Sequence, residues 1–107
     1  MSTRAMLYVK VHTGDSELED SFHAVYLHSD GDLAFDTLRE HYNDPAAVDR
    51  LFALGDISSL GPTLEDSEFY GRDRGEDGTQ AATVGEIPDD GDLRYLFDPE
   101  DGGWKKL

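Results

Sequence analysis

The chain has 107 residues, no cysteine, and 24 acidic against 9 basic residues, which gives a formal net charge of −15. The length suits one domain, so we expect a single acidic domain over residues 1–107. The absence of cysteine excludes a disulfide framework and a thiolate zinc site, and the charge opposes binding to nucleic acid or anionic membranes. No apolar run approaches the roughly 20 residues that span a bilayer, so we expect a soluble, intracellular protein.

The first two elements are predicted to be strands joined by an acidic loop. Residues 5–11 alternate apolar and polar side chains, the period of a strand, and residues 22–28 form a second strand candidate. We expect an antiparallel hairpin in which Val11 faces Phe22. That register places these side chains on one face: Leu7, Val9, Ala24 and Tyr26.

The next segment changes to a helical period. Apolar residues recur at helical spacing between positions 31 and 42, which predicts an amphipathic helix. Asp44 followed by Pro45 is typical of an N-cap and a first helical residue, so a second helix begins there. It is predicted to end at Gly55, in a left-handed conformation.

The remainder of the chain contains shorter strand candidates. These are residues 68–70, 81–87 and 93–97, and the closing WKKL is predicted to pair with the last of them as a hairpin. The expected fold is α+β: an antiparallel sheet of four to five strands with two helices packed on one face, in the order ββααβββ.

Metal and nucleophilic chemistry are not favoured by the motifs. The segment SDGD at residues 29–32 places its glycine too early for an EF-hand, and strand alternation puts His23 and His28 on opposite faces. GDISSLG follows a helix and is not a nucleophile elbow, so we expect a turn from which Ile57 and Leu60 pack on the core. We predict no metal, no cofactor and no catalytic residues.

The island RDRGED contains two of the six arginines. Arg72 and Arg74 are suited to holding a phosphate or carboxylate ligand through paired hydrogen bonds. Alternatively, they neutralise neighbouring acids in a glycine-terminated turn, which we favour.

Acid placement gives the most specific hypothesis about function. Asp32, Asp36 and Glu40 are spaced four residues apart, so they line one face of the first helix about 6 Å apart along its axis. Like charges at this spacing oppose the helix, and the spacing resembles that of successive phosphates along a nucleic-acid strand. The predicted partner-binding acids are Asp15, Glu17, Glu19, Asp20, Asp32, Asp36, Glu40, Glu65, Asp66 and Glu68.

The chain resembles a family of small proteins encoded by phages, prophages and plasmids. The resemblance is carried by the opening MSTRAMLYVK, by H-x-D-G at His28, Asp30 and Gly31, by LREHYNDPAAVDRLFALGDISSLG, by YGRDRGED and by RYLFDPEDGGW. It extends over most of the chain. Members of the family have the sequence C-H-W-D-G-Y-P at the positions of residues 27–33. This chain differs from that sequence at four positions, which are Leu27, Ser29, Asp32 and Leu33. No catalytic residue is therefore carried over.

The resemblance implies a mobile-element context and location in the cytoplasm of a host cell. Small acidic proteins of such elements commonly block defence complexes that bind nucleic acid. The leading hypothesis is therefore a non-enzymatic, DNA-mimicking anti-CRISPR or anti-restriction protein, whose partner is the basic surface of a host CRISPR effector or other defence complex. The alternatives are a ligand-binding or enzymatic domain using His28, Asp30, Arg72 and Arg74, and an acidic accessory protein adapted to high salt.

Overall fold

The computed structural model describes residues 4–11, 21–29, 31–88, 93–98 and 103–107. The elements in chain order are β1 (Ala5–Val11), β2 (Ser21–Leu27), α1 (Gly31–His41), α2 (Pro45–Ala53), β3 (Ile57–Ser59), β4 (Glu68–Phe69), α3 (Tyr70–Arg74), β5 (Ala82–Val84), β6 (Leu93–Asp98) and β7 (Gly103–Lys106). The predicted α+β class is confirmed. The predicted order ββααβββ is wrong, because the described elements follow the order ββααββαβββ, with two more strands and the short helix α3.

The sheet is mixed, so the prediction of an antiparallel sheet of four to five strands is also wrong. The described residues form seven strands in one sheet, in the order β4-β3-β2-β1-β6-β7, with β5 paired to β2. Neighbours pair antiparallel except at two places, where β6 runs parallel to β1 and β3 runs parallel to β2.

Chain connectivity explains the parallel pair of β2 and β3. Helices α1 and α2 lie between β2 and β3 in the chain, and they carry it back so that β3 runs in the same direction as β2. This is a crossover connection, which a parallel pair requires. Strand β6 occupies the edge of β1 that the β1–β2 hairpin leaves open.

The register of the β1–β2 hairpin differs by one residue from the prediction. Phe22 lies opposite Lys10 instead of Val11, and Leu7 lies opposite Val25. Leu7 and Val25 are both fully buried, so the core face is built from the odd-numbered residues of both strands. The predicted face is therefore wrong for two of its members, which lie on the other side of the sheet: Ala24 and Tyr26.

Helices α1 and α2 pack on this core face. Phe35 of α1 stacks on Tyr95 with 5.4 Å between ring centroids, and Phe52 of α2 stacks on Trp104 at 6.5 Å. The Trp104 indole also donates a 2.9 Å hydrogen bond to the carbonyl of Tyr42, just after α1. One apolar cluster thus joins both helices to the sheet.

The local signals of α2 are confirmed. The Asp44 carboxylate accepts a 2.9 Å hydrogen bond from the amide of Ala47, and Pro45 is the first helical residue. After the helix, Gly55 has a φ of 83°. A Cβ at this position would lie 2.2 Å from the carbonyl oxygen of Thr79, so only glycine fits without a backbone shift.

GDISSLG is not a turn over its whole length, because residues 57–59 form β3. Ile57 is fully buried and Leu60 packs against the core, as predicted for both side chains. The segment was hard to recognise as a strand because β3 has only three residues.

The closing hairpin is confirmed, with Phe97 opposite Trp104 and Asp98 opposite Gly103. Residues 99–102, which connect its two strands in the chain, lie outside the described residues. Within the described ranges, none of the helices combines the length and the apolar character needed to cross a bilayer.

Candidate partner-binding surface

Helix α1 is held to the sheet by one side only. Its buried residues are Gly31, Ala34 and Leu38, and Phe35 contacts Tyr95 beneath the helix. The opposite side is exposed to solvent and contains the predicted carboxylates. The amphipathic pattern of the sequence therefore fixes which side of α1 a partner can reach.

The three predicted acids of α1 are all exposed. Asp32, Asp36 and Glu40 follow one another at one-turn spacing along the helix. Glu40 lies 3.7 Å from the His41 ring, and no described cation forms an ion pair with Asp32 or Asp36. We call these three residues together with Leu33 the α1 surface.

The nearest arginine does not neutralise this surface through an ion pair. The Arg39 guanidinium lies over the Phe35 ring, 5.2 Å from its centroid. A cation in this position gains from the ring quadrupole and from contact with the ring face. Two carboxylates of the α1 surface, Asp32 and Asp36, are thus left without a cationic partner among the described residues.

The negative charges of these carboxylates also affect Tyr95. Burial raises the pKa of the Tyr95 hydroxyl, and the negative charges of Asp32 and Asp36 raise this pKa further. The hydroxyl donates a 2.7 Å hydrogen bond to the carbonyl of Gly31 at the start of α1. A negative potential therefore reaches from the exposed carboxylates to the sheet beneath.

Leu33 is a residue that the sequence reasoning missed as part of this surface. Its side chain is 61% exposed, whereas most large apolar side chains of the described residues are buried or packed against the core. The signal was present in the sequence, because Leu33 precedes Glu40 by two helical turns and lies off the apolar stripe of α1. An exposed leucine that flanks a row of carboxylates is a candidate apolar anchor for a partner.

The predicted acids of residues 65–68 occupy a separate loop and strand. Glu65 and Asp66 are exposed, and Asp66 exchanges hydrogen bonds with the Thr63 hydroxyl. Burial raises the pKa of the Tyr42 hydroxyl, and the negative charge of Asp66 raises this pKa further. Glu68 forms an ion pair with Arg74, so its charge is already engaged.

The remaining predicted acids cannot be placed. Asp15, Glu17, Glu19 and Asp20 lie outside the described residues. Among the predicted partner-binding residues, the structure brings together the three of α1 and separates them from Glu68, which lies in β4.

RDRGED supplies the last three residues of the short helix α3 and the residues that follow it. Its arginines engage neighbouring acids, as favoured above. Arg72 pairs with Asp73, donates to the carbonyl of Ser67 at 2.8 Å, and lies over the Phe69 ring. These contacts lower the pKa of the Asp73 carboxyl, first through the Arg72 hydrogen bond and then through the Phe69 amide. Gly75 ends the helix with a φ of 66°, which corrects the predicted turn to a helix with a glycine cap.

The alternative site made of a histidine and two arginines gains no support from these contacts. Arg74 pairs with Glu68, bonds the Ser58 hydroxyl and lies over the Tyr70 ring, so the two arginines hold different partners. The His28 ring shares a 2.8 Å hydrogen bond with the Tyr26 hydroxyl. Asp30 lies outside the described residues, and within those residues no three metal-ligating side chains form a group.

No protein-family model, curated protein or solved structure matches this chain. The resemblance to proteins of mobile elements therefore stays a prediction, and the proposal of a function depends on the chain's own surface.

Proposed function

We propose that this protein is a non-enzymatic inhibitor that binds the basic nucleic-acid-binding surface of a host defence complex and blocks binding of target DNA. The complex is a CRISPR effector or a restriction enzyme. The observation that carries the proposal is the α1 surface, where three exposed carboxylates follow one helix face and two have no cationic partner among the described residues.

The physical reason is the complementarity of charge between the two surfaces. A groove that binds DNA presents lysine and arginine to successive phosphates, and the carboxylates of α1 repeat at a rise of about 6 Å. The formal net charge of −15 favours rapid encounter with such a groove, at a rate that falls as salt is added. Asp32, Asp36 and Glu40 would take the places of phosphates.

Leu33 would add the apolar part of the contact. Interfaces usually derive most of their binding energy from a few buried side chains surrounded by polar ones. Leu33 is 61% exposed in the free protein and lies beside the acids of the α1 surface. Burial of its side chain against the partner would slow dissociation, while the charges raise the rate of association.

The direct test is competition with DNA. Purified CRISPR effectors and restriction enzymes are incubated with labelled target DNA and increasing amounts of the protein at low salt, and DNA binding is followed by gel shift. We expect the protein to displace DNA from at least one complex. Unchanged DNA binding by every complex at molar excess would show the proposal to be wrong.

Matched charge variants separate the α1 surface from net charge. The variant D32N/D36N/E40Q reduces the formal charge from −15 to −12, since three acids are lost. The control E76Q/D77N/E86Q makes the same change at exposed acids outside α1. We expect the first variant to inhibit more weakly than the control, and equal inhibition by both would assign the effect to bulk charge.

Adaptation to high salt is the second candidate function, and composition favours it. The chain has only three lysines, Lys10, Lys105 and Lys106, against 24 acids. Acidic, lysine-poor surfaces are typical of proteins from salt-rich cytoplasm. Unfolding measured at increasing KCl concentration distinguishes salt adaptation from inhibition. A salt-adapted protein needs molar KCl to stay folded, whereas an inhibitor that works at low salt does not.

A further inference from the structure

A cleft lies between helix α2 and strands β1 and β2. Its volume is about 370 Å³, which is near the lower end of the range of small-molecule sites. The residues that line it are Val9, His23, Asp49, Phe52, Ala53 and Ala81. None of them belongs to the α1 surface.

The walls of the cleft are mostly apolar and firmly held. Val9 and Phe52 are each only 5% exposed and belong to the core, so they form a fixed floor. Ala53 and Ala81 add small side chains, which leave the space open. Such a floor suits a planar or aliphatic group better than a strongly hydrated one.

His23 and Asp49 are the titratable side chains of this lining. The Nδ1 atom of His23 lies 3.3 Å from the Thr83 hydroxyl, which links the ring to β5. No described residue engages its Nε2 atom. Because the Thr83 hydroxyl can accept a hydrogen bond from Nδ1, the neutral ring has a tautomer in which Nε2 is an acceptor.

Asp49 contributes a negative charge to the lining of the cleft. It is exposed on α2, and among the described residues no cation forms an ion pair with it. In a chain with a formal charge of −15, the surrounding potential disfavours an anion in this cleft and favours a cation. A ligand with several N–H donors would satisfy Asp49 and His23 together.

We propose that this cleft binds a guanidinium group, which places its planar face on Val9 and Phe52 and donates hydrogen bonds to Asp49 and His23. Guanidinium fits better than ammonium because it is planar, more weakly hydrated and able to donate two parallel hydrogen bonds to a carboxylate. The group is either a free small molecule or an arginine side chain of a partner protein. The proposal does not depend on the inhibitor function of the α1 surface.

The test is an NMR titration of the whole chain at moderate salt. The probes are ethylguanidinium, the blocked peptide acetyl-Gly-Arg-Gly-amide, and n-butylammonium as a cation of equal charge without the planar group. We expect saturable shifts of the His23 ring and of the Ala53 and Ala81 amides with a guanidinium probe, and weaker binding of n-butylammonium. Saturation by ethylguanidinium alone indicates a small-molecule ligand, and saturation by the peptide indicates a partner's arginine.

Three variants complete the test. D49N should weaken guanidinium binding by about tenfold or more, since it removes a charged hydrogen-bond acceptor. D77N makes the same charge change at an exposed acid outside both the cleft and the α1 surface, and it should leave the affinity unchanged. A53M alters an exposed residue of the lining and should block the cleft, with folding checked by its thermal transition.

Two results of these experiments would contradict guanidinium binding in the cleft. Absence of saturable shifts with both guanidinium probes would overturn the proposal. Equal losses in D49N and D77N would also overturn it, because they would indicate general attraction of cations to an acidic protein.

Discussion

The hydroxyl of Tyr95 in β6 donates a 2.7 Å hydrogen bond to the backbone carbonyl of Gly31, where α1 begins. The two residues are 64 positions apart in the chain. This bond fixes the start of α1 to strand β6 and so positions Asp32 and Leu33, which come directly after Gly31. The candidate surface thus depends on a long-range contact.

Removal of this hydroxyl should destabilise the fold modestly. We expect Y95F to lower the free energy of unfolding by about 0.5 to 1.5 kcal/mol, the usual net value of one hydrogen bond. Y8F is a suitable control, since Tyr8 is similarly buried and no described residue accepts a hydrogen bond from its hydroxyl. Urea unfolding of both variants gives the comparison, and equal losses would contradict the role of the Tyr95 bond.

Alkaline pH should weaken the folded state through buried tyrosines. Burial raises the pKa of Tyr8, Tyr42 and Tyr95 above the ordinary value. Their stabilising contribution is therefore complete below the pKa of the unfolded chain, about 10, and is lost as pH rises through the higher folded pKa. Urea midpoints should fall from about pH 10 upward, and they should fall less steeply in Y95F.

Two acids of α1 should respond differently to neutralisation. Asp36 has a like charge one turn away on each side, so D36N should stabilise the helix by about 0.2 to 0.5 kcal/mol for each pair relieved. Asp32 lies in the first turn, where the helix dipole favours a negative charge, so D32N should give no gain. Urea unfolding at low salt tests this difference, which should shrink in 1 M NaCl as a general effect of screening. A larger gain in D32N than in D36N would contradict it.

Two glycines with positive φ should differ in their tolerance of alanine. A Cβ at Gly55 meets the Thr79 carbonyl oxygen at 2.2 Å, whereas a Cβ at Gly75 meets nothing within 4 Å. We expect G75A to lower the free energy of unfolding by about 1 to 2 kcal/mol, because alanine disfavours the left-handed conformation. G55A should cost clearly more, because the backbone must also move away from Thr79. Thermal or urea unfolding measures both, and similar losses would contradict the steric argument.

Leu33 should matter for binding and not for stability. L33A should change the free energy of unfolding by less than about 0.5 kcal/mol, as is usual at the surface, because 61% of the residue is exposed. In the DNA-competition assay, L33A should reduce the free energy of binding to the target complex by about 1 kcal/mol or more, because an apolar anchor is lost. L107A is the matched control, since Leu107 is the other exposed large apolar side chain that the described residues contain. Equal inhibition by both variants would remove Leu33 from the interface.

The local elements could be predicted from the sequence because their signals lie within a few residues. The period of 3.6 identified α1, and the Asp44-Pro45 pair identified the start of α2. The same reasoning located the exposed acids of α1, since the apolar stripe of a helix determines its buried side. Leu33 was within reach of this argument but was not recognised.

The missed elements are those whose local signal is weak. Strand β3 has only three residues, too few to show alternation, whereas β4 falls within the predicted strand at residues 68–70. Helix α3 has five residues, and its arginines are fixed by Asp73 and Glu68 more than by any helical pattern. Contacts with the rest of the molecule stabilise these short pieces.

By itself, the sequence determined the α+β class, the α2 cap, the closing hairpin and the exposed acids of α1, since periodicity, capping and charge act between near neighbours in the chain. Only the tertiary structure decided the parallel pairing of β1 with β6, the register that sets Leu7 against Val25, and the cleft between His23 and Asp49. Those features join residues distant in sequence. Their energy comes from burial of shared apolar surface, which no local pattern specifies.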